Sequence, residues 1–307
     1  MVRRRNPLAP PFAIDLFAGA GGLSLGLQRA GCDVVGVELD EAACRTHRTS
    51  VGPCVQADAT RYHPDREATI VAGGSPCQAY SKAGKMRGLR DPRGKLFREI
   101  IRVGVEARAQ AIVIENVKGA LTTPAFLGRD ETVAQRIRAE VEEAGFYSAQ
   151  MTLDAADFGV PQHRRRIFIL GFADPAARDR YVMPEGNHGP GRWFPYVTVR
   201  QMTGDVPYDA PAPTVTTGEY KAALNIGSKG GKSGARHSLD RMVVAGRKSG
   251  QLVGRNLSIG EWAIIQGFPG GMPFSGNRVE QARQVGNAVP PALGEAVARS
   301  VLRALGL

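Results

Sequence analysis

The sequence TIVAGGSPCQ, residues 69–78, joins a short apolar run to a glycine-containing turn that delivers Cys77. A second apolar run, residues 112–114, is followed directly by Glu115. Short apolar runs bounded by glycine are typical of buried parallel strands, and open α/β sheets bind their ligands beyond the carboxyl ends of such strands. The pattern therefore predicts an α/β fold that brings a thiol and a carboxyl group to one edge of the sheet, a layout for covalent catalysis by a thiolate.

The same pattern continues on both sides, from residue 12 to about residue 172. The strand candidates are Phe12–Leu16, 34–37, 70–72, 111–114 and 167–170. Apolar residues recur at helical spacing between them, over 23–30, 97–105 and 133–144. Alternating strands and amphipathic helices predict βαβ units stacked on a parallel sheet, which is a doubly wound domain.

The composition of the chain changes around Asp174, where proline and glycine become frequent and apolar residues no longer recur at regular spacing. Residues 227–236 are glycine-rich and basic, as a solvated loop often is. Periodicity returns at Ser258, which forms a possible capping box with Glu261, and a final helix is predicted after Pro290.

The charge of the chain favours a polyanionic partner. Its 307 residues suffice for one large or two modest domains, and 40 Lys and Arg against 29 Asp and Glu give a net charge of +11. The isoelectric point is near 9.9. Nucleic acid is therefore the first partner to test, although many basic proteins bind none.

The cysteines and the amino-terminal residues indicate a cytoplasmic protein. The four cysteines are Cys32, Cys44, Cys54 and Cys77. They show neither CxxC pairs nor metal-ligand spacing, so we expect reduced thiols and no metal. No apolar run reaches membrane-spanning length, and the arginine-containing start precedes no uninterrupted apolar segment, so we expect neither export nor a membrane.

Residues 15–22, with the sequence DLFAGAGG, predict a strand that turns through glycines into a helix. Such a turn lets the backbone approach a ligand closely. The dinucleotide fingerprint GxGxxG is incomplete, because Ser24 stands at its third glycine. Glu38, at the end of the second strand, could accept hydrogen bonds from ribose hydroxyls, which NAD and S-adenosylmethionine both carry. These residues alone leave the two cofactors open.

The motifs taken together resemble those of the DNA (cytosine-5) methyltransferases. Pro76-Cys77-Gln78 and Glu115-Asn116-Val117 resemble two central motifs of that family, and 15–22, 162–166, 257–269 and 284–290 resemble others in the same order. The departures are Ser75, where a second proline is common, and Ile259-Gly260. The resemblance implies a Rossmann-like S-adenosylmethionine-dependent methyltransferase domain with a small target-recognition domain. It implies a catalytic and cofactor-binding domain over 1–173, target recognition and a hinge over 174–283, and a segment, 284–307, that returns to the catalytic domain.

The resemblance also implies which residues bind S-adenosylmethionine and its product S-adenosylhomocysteine. Phe17 packs on the cofactor, Glu38 holds the ribose and Asp58 contacts the adenine amino group. Taken alone, Asp58 is better explained as a loop-capping residue. The full predicted set is Phe17, Ala18, Gly19, Gly21, Gly22, Glu38, Leu39, Asp58, Ala59, Pro76, Leu96, Asn287, Ala288 and Val289.

Cytosine chemistry explains the remaining motif residues. Carbon 5 is too weak a nucleophile to take a methyl group directly, so the thiolate of Cys77 adds at carbon 6 while Glu115 assists at N3 and the amine. Asn116 would orient that loop. Arg164 and Arg166 alternate on an extended segment, so they share a side and can meet the flipped base and its phosphates. Without the resemblance, a buried structural cysteine and a helix-capping glutamate stay open.

DNA contacts are predicted from the basic loop after Cys77 and from the segment 174–256, which in this family reads the target. The predicted DNA-binding residues are Gln78, Ser81, Lys82, Lys85, Arg93, Arg164, Lys229, Lys232 and Arg236. The basic stretch after Cys77 and the basic residues of 174–256 could instead belong to ordinary solvated loops. The flipped target must leave the stack, because a thiol cannot reach carbon 6 within a paired duplex.

We expect a monomeric enzyme that acts on double-stranded DNA, and three other functions are alternatives. A tRNA substrate keeps the chemistry, but the long segment before Asn256 favours DNA. A catalytically silent DNA-binding subunit does not explain Cys77, Glu115 and the arginines together. An NAD-dependent oxidoreductase gives Cys77 no role. The resemblance further allows a cognate restriction endonuclease that acts separately.

Overall fold

The computed structural model describes residues 9–76, 89, 91–126, 130–204, 206, 208–215, 244–248, 251–255 and 257–307. For residues 92, 244–248 and 251–255 the description covers the backbone only. Cys77 lies outside the described residues.

A seven-stranded sheet forms the centre of the molecule. Its strands are β1 Phe12–Leu16, β2 Asp33–Glu38, β3 Cys54–Gln56, β4 Ile70–Gly74, β5 Ala111–Val117, β6 Tyr147–Asp154 and β7 Arg165–Phe172. They lie in the order β3-β2-β1-β4-β5-β7-β6. The five predicted strands are confirmed. The two additional strands are the sheet edges: β3 has only three residues, and β6 mixes polar with apolar residues because one of its sides is exposed.

The direction of β7 differs from the expectation that 167–170 joins a parallel sheet. Strands β1 to β5 pair in parallel, whereas β7 runs antiparallel to both β5 and β6. The connection from β6 to β7 is short and holds only the 3-10 helix Ala155–Phe158. An antiparallel pair can close through such a turn, whereas a parallel pair needs a crossover of a dozen or more residues.

Helices cover both faces of the sheet, as a doubly wound fold requires. They are α1 Gly22–Arg29, α2 Glu41–Ser50, α3 Phe97–Glu106, α4 Val133–Glu143, α5 Pro175–Arg180, α6 Val199–Thr203, α7 Ile259–Ile265, α8 Arg278–Asn287 and α9 Pro291–Leu305. Ala13 of β1 packs with apolar residues of α1 and α9, while its neighbour Ile14 packs with those of α3 and α4. Strands buried on both faces read as continuous apolar runs, which explains the sequence pattern.

The carboxyl-terminal helix α9 returns to pack against α1, which begins at the glycine turn. A Cβ atom on Gly26 would lie 2.5 Å from the backbone nitrogen of Glu295, and one on Gly22 would lie 2.2 Å from the carbonyl oxygen of Val289. Only glycine allows backbones to approach this closely. The segment that leads into α9 therefore meets the glycine turn.

A smaller apolar cluster joins α6, α7 and α8, with Trp262, Ile265 and Val285 among its members. Ser258 and Glu261 form the predicted capping box at the start of α7. The backbone of β8 Val244–Lys248 pairs antiparallel with β9 Gln251–Arg255. The domain boundaries at 173/174 and 283/284 stay a prediction.

A buried chain of polar groups lies below the glycine turn. Ser24 Oγ is 2.6 Å from Asp15 Oδ2 and 2.9 Å from His47 Nε2. His47 Nδ1 lies 3.1 Å from the carbonyl oxygen of Gly52, which can only accept, so Nδ1 donates and Nε2 accepts. Ser24 has one proton and cannot donate to both neighbours, so protonated Asp15 completes the chain. Burial raises the pKa of Asp15 to about 7 and lowers the pKa of His47, which favours this neutral form.

We predict that the contribution of Asp15 to folding stability falls as pH rises from 3.8 to about 7. Asp15 ionises near its ordinary pKa of 3.8 in the unfolded chain but near 7 when folded, so the folded state holds a proton that the unfolded state has lost. The contribution of Asp15 to the free energy of unfolding is at most about 4 kcal/mol. It is complete below pH 3.8 and disappears by about pH 7. Asp15→Asn supplies a permanent donor, so the stability of this variant relative to wild type should increase over that range.

Urea denaturation of both proteins at several pH values between 4.5 and 8 measures the difference, in which the other titrating groups cancel. Asp33→Asn, at an exposed position, is the matched control and should show a constant difference from wild type. Parallel stability curves for Asp15→Asn and wild type would show that Asp15 carries no extra proton.

Candidate active site

The glycine turn is fastened to the second strand by Glu38. The carboxylate accepts from the backbone nitrogens of Gly19 and Asp40, each at 2.8 Å through a different oxygen. Phe17 and Gly19 both have positive φ, 58° and 55°. A carboxylate offers about four acceptor positions, so Glu38 keeps capacity for a ligand hydroxyl while it shapes the turn.

Leu39 and Asp58 lie beyond the ends of β2 and β3. Leu39 is 66% exposed, which is high for a leucine beside a buried strand. Asp58 Oδ1 accepts from the backbone nitrogen of Thr60 at 2.9 Å and from its hydroxyl at 2.8 Å, and these bonds lower the pKa of Asp58. These contacts are those of a loop-capping aspartate; its predicted contact with an adenine amino group stays a prediction. The next residue, Ala59, is buried.

The carboxyl-terminal motif residues meet the glycine turn from the other side. Val289 is buried against Gly22, Ala288 is half-buried, and Asn287, the last residue of α8, is exposed. Leu96, at the amino end of α3, is half-buried.

The residues around the glycine turn fit a cofactor that carries a ribose and an aromatic base. A Cβ on Gly19 would meet nothing within 4 Å, so open space lies in front of the turn. The exposed Leu39 offers an apolar surface for a ring, and Glu38 offers acceptors for ribose hydroxyls. These residues lie at the carboxyl ends of parallel strands, where open α/β sheets bind nucleotides.

Glu115 occupies a buried position near the carboxyl end of β5, directly across from Gly74, the last residue of β4. Its side chain is 9% exposed. A Cβ on Gly74 would lie 2.9 Å from Glu115 Oε2, closer than real Cβ contacts. The second glycine of the Gly-Gly-Ser-Pro turn therefore makes room for the carboxyl group, a role that the sequence analysis missed.

Arg166 pairs with Glu115 across the antiparallel β5–β7 ladder. Arg166 Nε lies 2.9 Å from Glu115 Oε1, and both side chains are buried. Burial raises the pKa of Glu115, while the charges of Arg166 and Arg164 oppose that rise. Arg165, between them, points the other way and is 63% exposed beside Asp154. The alternation of faces along this segment therefore holds in the structure.

Arg164 is fully buried and ties distant parts of the backbone together. Its Nη1 donates to the carbonyl oxygen of Val215 at 2.8 Å and its Nη2 to that of Gly286 at 2.9 Å. These contacts are structural, and its predicted contact with DNA stays a prediction. Next to it, Gln162 Nε2 donates to Gln266 Oε1 at 2.7 Å.

This glutamine pair was not predicted as a site, although both residues stand in quoted motifs. Gln162 Oε1 also accepts from the backbone nitrogen of Val215, and Gln266 Nε2 donates to the carbonyl oxygen of Ala288. The signal in the sequence was the alternation of Gln162 with Arg164 and Arg166 in one motif. In the structure both glutamines have no exposed surface, so each needs partners for its whole amide group.

The structure places some predicted DNA-binding residues and not others. Arg93 is exposed and forms a bidentate pair with Asp91, with distances of 3.0 and 2.7 Å. Gln78, Ser81, Lys82, Lys85, Lys229, Lys232 and Arg236 lie, with Cys77, outside the described residues. Pro76 is the last described residue before that gap.

The described part of the chain brings no three His, Cys, Asp or Glu side chains together in a metal-binding group. Within the same residues, every helix is too short or too polar to cross a bilayer.

Comparison with known proteins identifies the family. A model of the C-5 cytosine-specific DNA methylases matches residues 12–188 and 210–303, which include the strands and motifs described above. The chain belongs to the C-5 cytosine-specific DNA methylase family. It is therefore a DNA (cytosine-5) methyltransferase, a class of S-adenosylmethionine-dependent enzymes.

Two relatives agree with this assignment. The chain is 32% identical over 339 residues to Type II methyltransferase M1.HphI of Haemophilus parahaemolyticus, covering 94% of this chain and 86% of that protein. It is 30% identical over 329 residues to Type II methyltransferase M.NgoFVII of Neisseria gonorrhoeae, covering 95% and 86%.

Two solved structures show the same fold. The Dnmt2 methyltransferase of S. pombe has a TM-score of 0.60 and 17% identity, covering 97% of this chain and 100% of that chain. The methyltransferase EhMeth of Entamoeba histolytica has a TM-score of 0.62 and 14% identity, covering 97% and 99%.

The contact between Gly74 and Glu115 predicts that a single methyl group slows the methylase. The Cβ of Gly74→Ala would lie 2.9 Å from Glu115 Oε2, so the carboxyl group should shift by about half an ångström to restore an ordinary contact. A misplacement of about 1 Å in an active site costs on the order of 100-fold in rate, so this smaller shift should cost on the order of tenfold. Methyl transfer to DNA from labelled S-adenosylmethionine measures the loss. Gly270→Ala, where the added Cβ meets nothing within 4 Å, is the matched control and should keep wild-type activity. Equal activity of the two variants would contradict the proposed crowding.

Proposed function

We propose that this methylase transfers a methyl group to carbon 5 of a flipped cytosine in a specific duplex DNA sequence, through a temporary bond between Cys77 and carbon 6. The observation that carries the proposal is the Glu115–Arg166 pair, a buried carboxyl group with a raised pKa at the end of β5. The adjacent strand β4 leads within three residues to Cys77. An acid and a nucleophile on neighbouring strand ends are the two groups that the reaction requires.

Glu115 and Cys77 divide the chemistry between them. The thiolate of Cys77 donates an electron pair to carbon 6, and the carbon 5–carbon 6 π electrons become available at carbon 5 as the Glu115 carboxyl group protonates N3. S-adenosylmethionine, when bound, supplies the electrophilic methyl group. Loss of the carbon 5 proton to a base re-forms the ring double bond, expels the Cys77 thiolate and returns the N3 proton to Glu115.

Arg166 has a positioning and electrostatic role in this scheme. It holds one oxygen of Glu115 at 2.9 Å, which leaves the second oxygen to face the base. Because burial raises the pKa of Glu115, the carboxyl group is protonated at a higher pH than an ordinary glutamate. Phe17, Glu38, Leu39, Asp58 and Val289 are the principal candidates to hold the cofactor beside it.

The DNA and its context complete the proposal. Excess positive charge attracts the duplex, and 174–256 reads the target; the cytosine leaves the stack because a paired base is inaccessible to Cys77. The relatives described above are named Type II methyltransferases. We propose that this enzyme acts in the cytoplasm as a monomer and protects its site from a separate restriction endonuclease.

Covalent catalysis predicts trapping by a modified substrate. Wild-type protein should form a stable adduct with duplex DNA that carries 5-fluorocytosine at the target, because fluorine cannot leave carbon 5 as a proton does. Cys77→Ala should form no adduct and no product while it still binds S-adenosylmethionine in isothermal titration. A denaturing gel detects the adduct, and a tRNA substrate is tested in parallel. Methyl transfer by Cys77→Ala at the wild-type rate, or transfer to tRNA alone, would contradict the proposal.

The acid role of Glu115 predicts a pH profile. Single-turnover rates of wild type should fall as pH rises through the pKa of Glu115, because only the protonated carboxyl group can donate. Glu115→Gln should react far more slowly, and its rate should no longer fall as pH rises. Its DNA binding should be nearly unchanged in a gel-shift assay. A variant that binds DNA weakly but reacts at the normal rate once bound would assign Glu115 to binding instead.

Target recognition by 174–256 predicts that specificity can be moved. Replacing this segment with the corresponding one of a relative that has a different target should move methylation to the new site, with Cys77 and Glu115 still required. Sequencing of methylated cytosines in DNA from a methylation-free host that expresses the chimera identifies the target. Active chimeras that keep the old target would place recognition elsewhere, and residues 81–93 would be the next segment to exchange.

A further inference from the structure

Ser75 and Asn116 form a buried hydrogen bond between the two strand ends that carry the proposed chemistry. Asn116 Nδ2 donates to Ser75 Oγ at 3.0 Å. Ser75 is 4% exposed and Asn116 is 1% exposed. Ser75 stands two residues before Cys77, and Asn116 directly follows Glu115.

The direction of this bond is set by its surroundings. Asn116 Oδ1 accepts from the backbone nitrogen of Val117 at 2.8 Å, so the amide oxygen faces its own strand and the amide nitrogen faces Ser75. The asparagine therefore uses both ends of its amide group, one on β5 and one on the turn that follows β4.

The bond lies where the backbone ladder stops. The last pair of residues in register between β4 and β5 is Gly74 and Glu115, and Ser75 and Asn116 are the next residues on each strand. Their side chains thus continue the connection between the strands one step beyond the last backbone pair, toward Cys77.

We infer that Ser75 is a positioning residue, whose hydroxyl group holds the backbone two residues before Cys77 at a fixed distance from β5, the strand that carries Glu115. The inference rests on the proposed function, since it assigns to Ser75 an effect on the bond that Cys77 forms. Loss of the hydroxyl leaves the buried Asn116 amide nitrogen without this acceptor and releases the turn from β5. The predicted consequence is slower attack on carbon 6, with cofactor and DNA binding retained.

Two substitutions separate the hydroxyl group from the rest of the side chain. Ser75→Ala removes the acceptor, and Ser75→Thr keeps it. From the usual net contribution of one hydrogen bond, Ser75→Ala should form the adduct with 5-fluorocytosine DNA roughly three- to tenfold more slowly. Ser75→Thr should restore most of the rate. The KM for DNA and the Kd for S-adenosylmethionine should stay within about twofold of wild type in both variants.

Ser300→Ala is the matched control. Ser300 is 2% exposed and its hydroxyl group donates to the carbonyl oxygen of Val297 within α9. This variant loses a buried hydroxyl group of the same kind elsewhere in the fold, so it reports any effect of lower stability alone. It should form the adduct at the wild-type rate.

A double-mutant cycle tests whether the effect belongs to the pair. Asn116→Ala should slow adduct formation at least as much as Ser75→Ala, and the second substitution should add little in the Asn116→Ala background. Fully additive losses, or a Ser75→Ala rate equal to wild type in protein that forms the adduct, would overturn the positioning role. Absence of any adduct in wild type would instead overturn the proposed function. If Ser75→Ala folds poorly, Asn116→Ala alone tests the same bond from the other strand.

Discussion

A buried carboxyl group near the carboxyl end of strand β5 constrains the structure around it. Glu115 has little contact with water, so its charged form needs a cationic partner, which Arg166 supplies. The same burial raises the pKa of Glu115. Arg166 reaches it only because β7 runs antiparallel beside β5 and places Arg166 opposite Val117. Gly74, on the other side, leaves room that any side chain would fill. The antiparallel direction of β7 and the absence of a side chain at Gly74 both make room for this carboxyl group or pair it.

A second group of buried polar side chains ties the segments around Val215, Gln266 and Gly286 to the start of β7. Arg164 donates to backbone carbonyls of Val215 and Gly286, and Gln162 and Gln266 join their amide groups beside it. Buried donors and acceptors are costly when they lose a partner, so these segments are held in one arrangement. The strand that positions Arg166 is thereby tied to the segment that reaches the glycine turn.

The cofactor side is organised by the same principle. Glu38 ties the glycine turn to β2 through two backbone nitrogens and still has acceptor capacity. Beneath the turn, Asp15, Ser24 and His47 share protons in a chain that burial keeps neutral. The turn is therefore preorganised by contacts from strands on both sides. Rigid support of this kind reduces the ordering that ligand binding would otherwise require.

The sequence by itself determined the features that depend on neighbouring residues. The apolar runs, the helical spacing, the glycine turn and the ordered motifs around Cys77 and Glu115 are local patterns, and the five predicted strands and the family follow from them. Only the tertiary structure decided the direction of β7, the space that Gly74 leaves, the buried contacts of Arg164 and the Ser75–Asn116 bond. These features join residues 41 to 122 positions apart, and local spacing carries no information on which distant groups will meet.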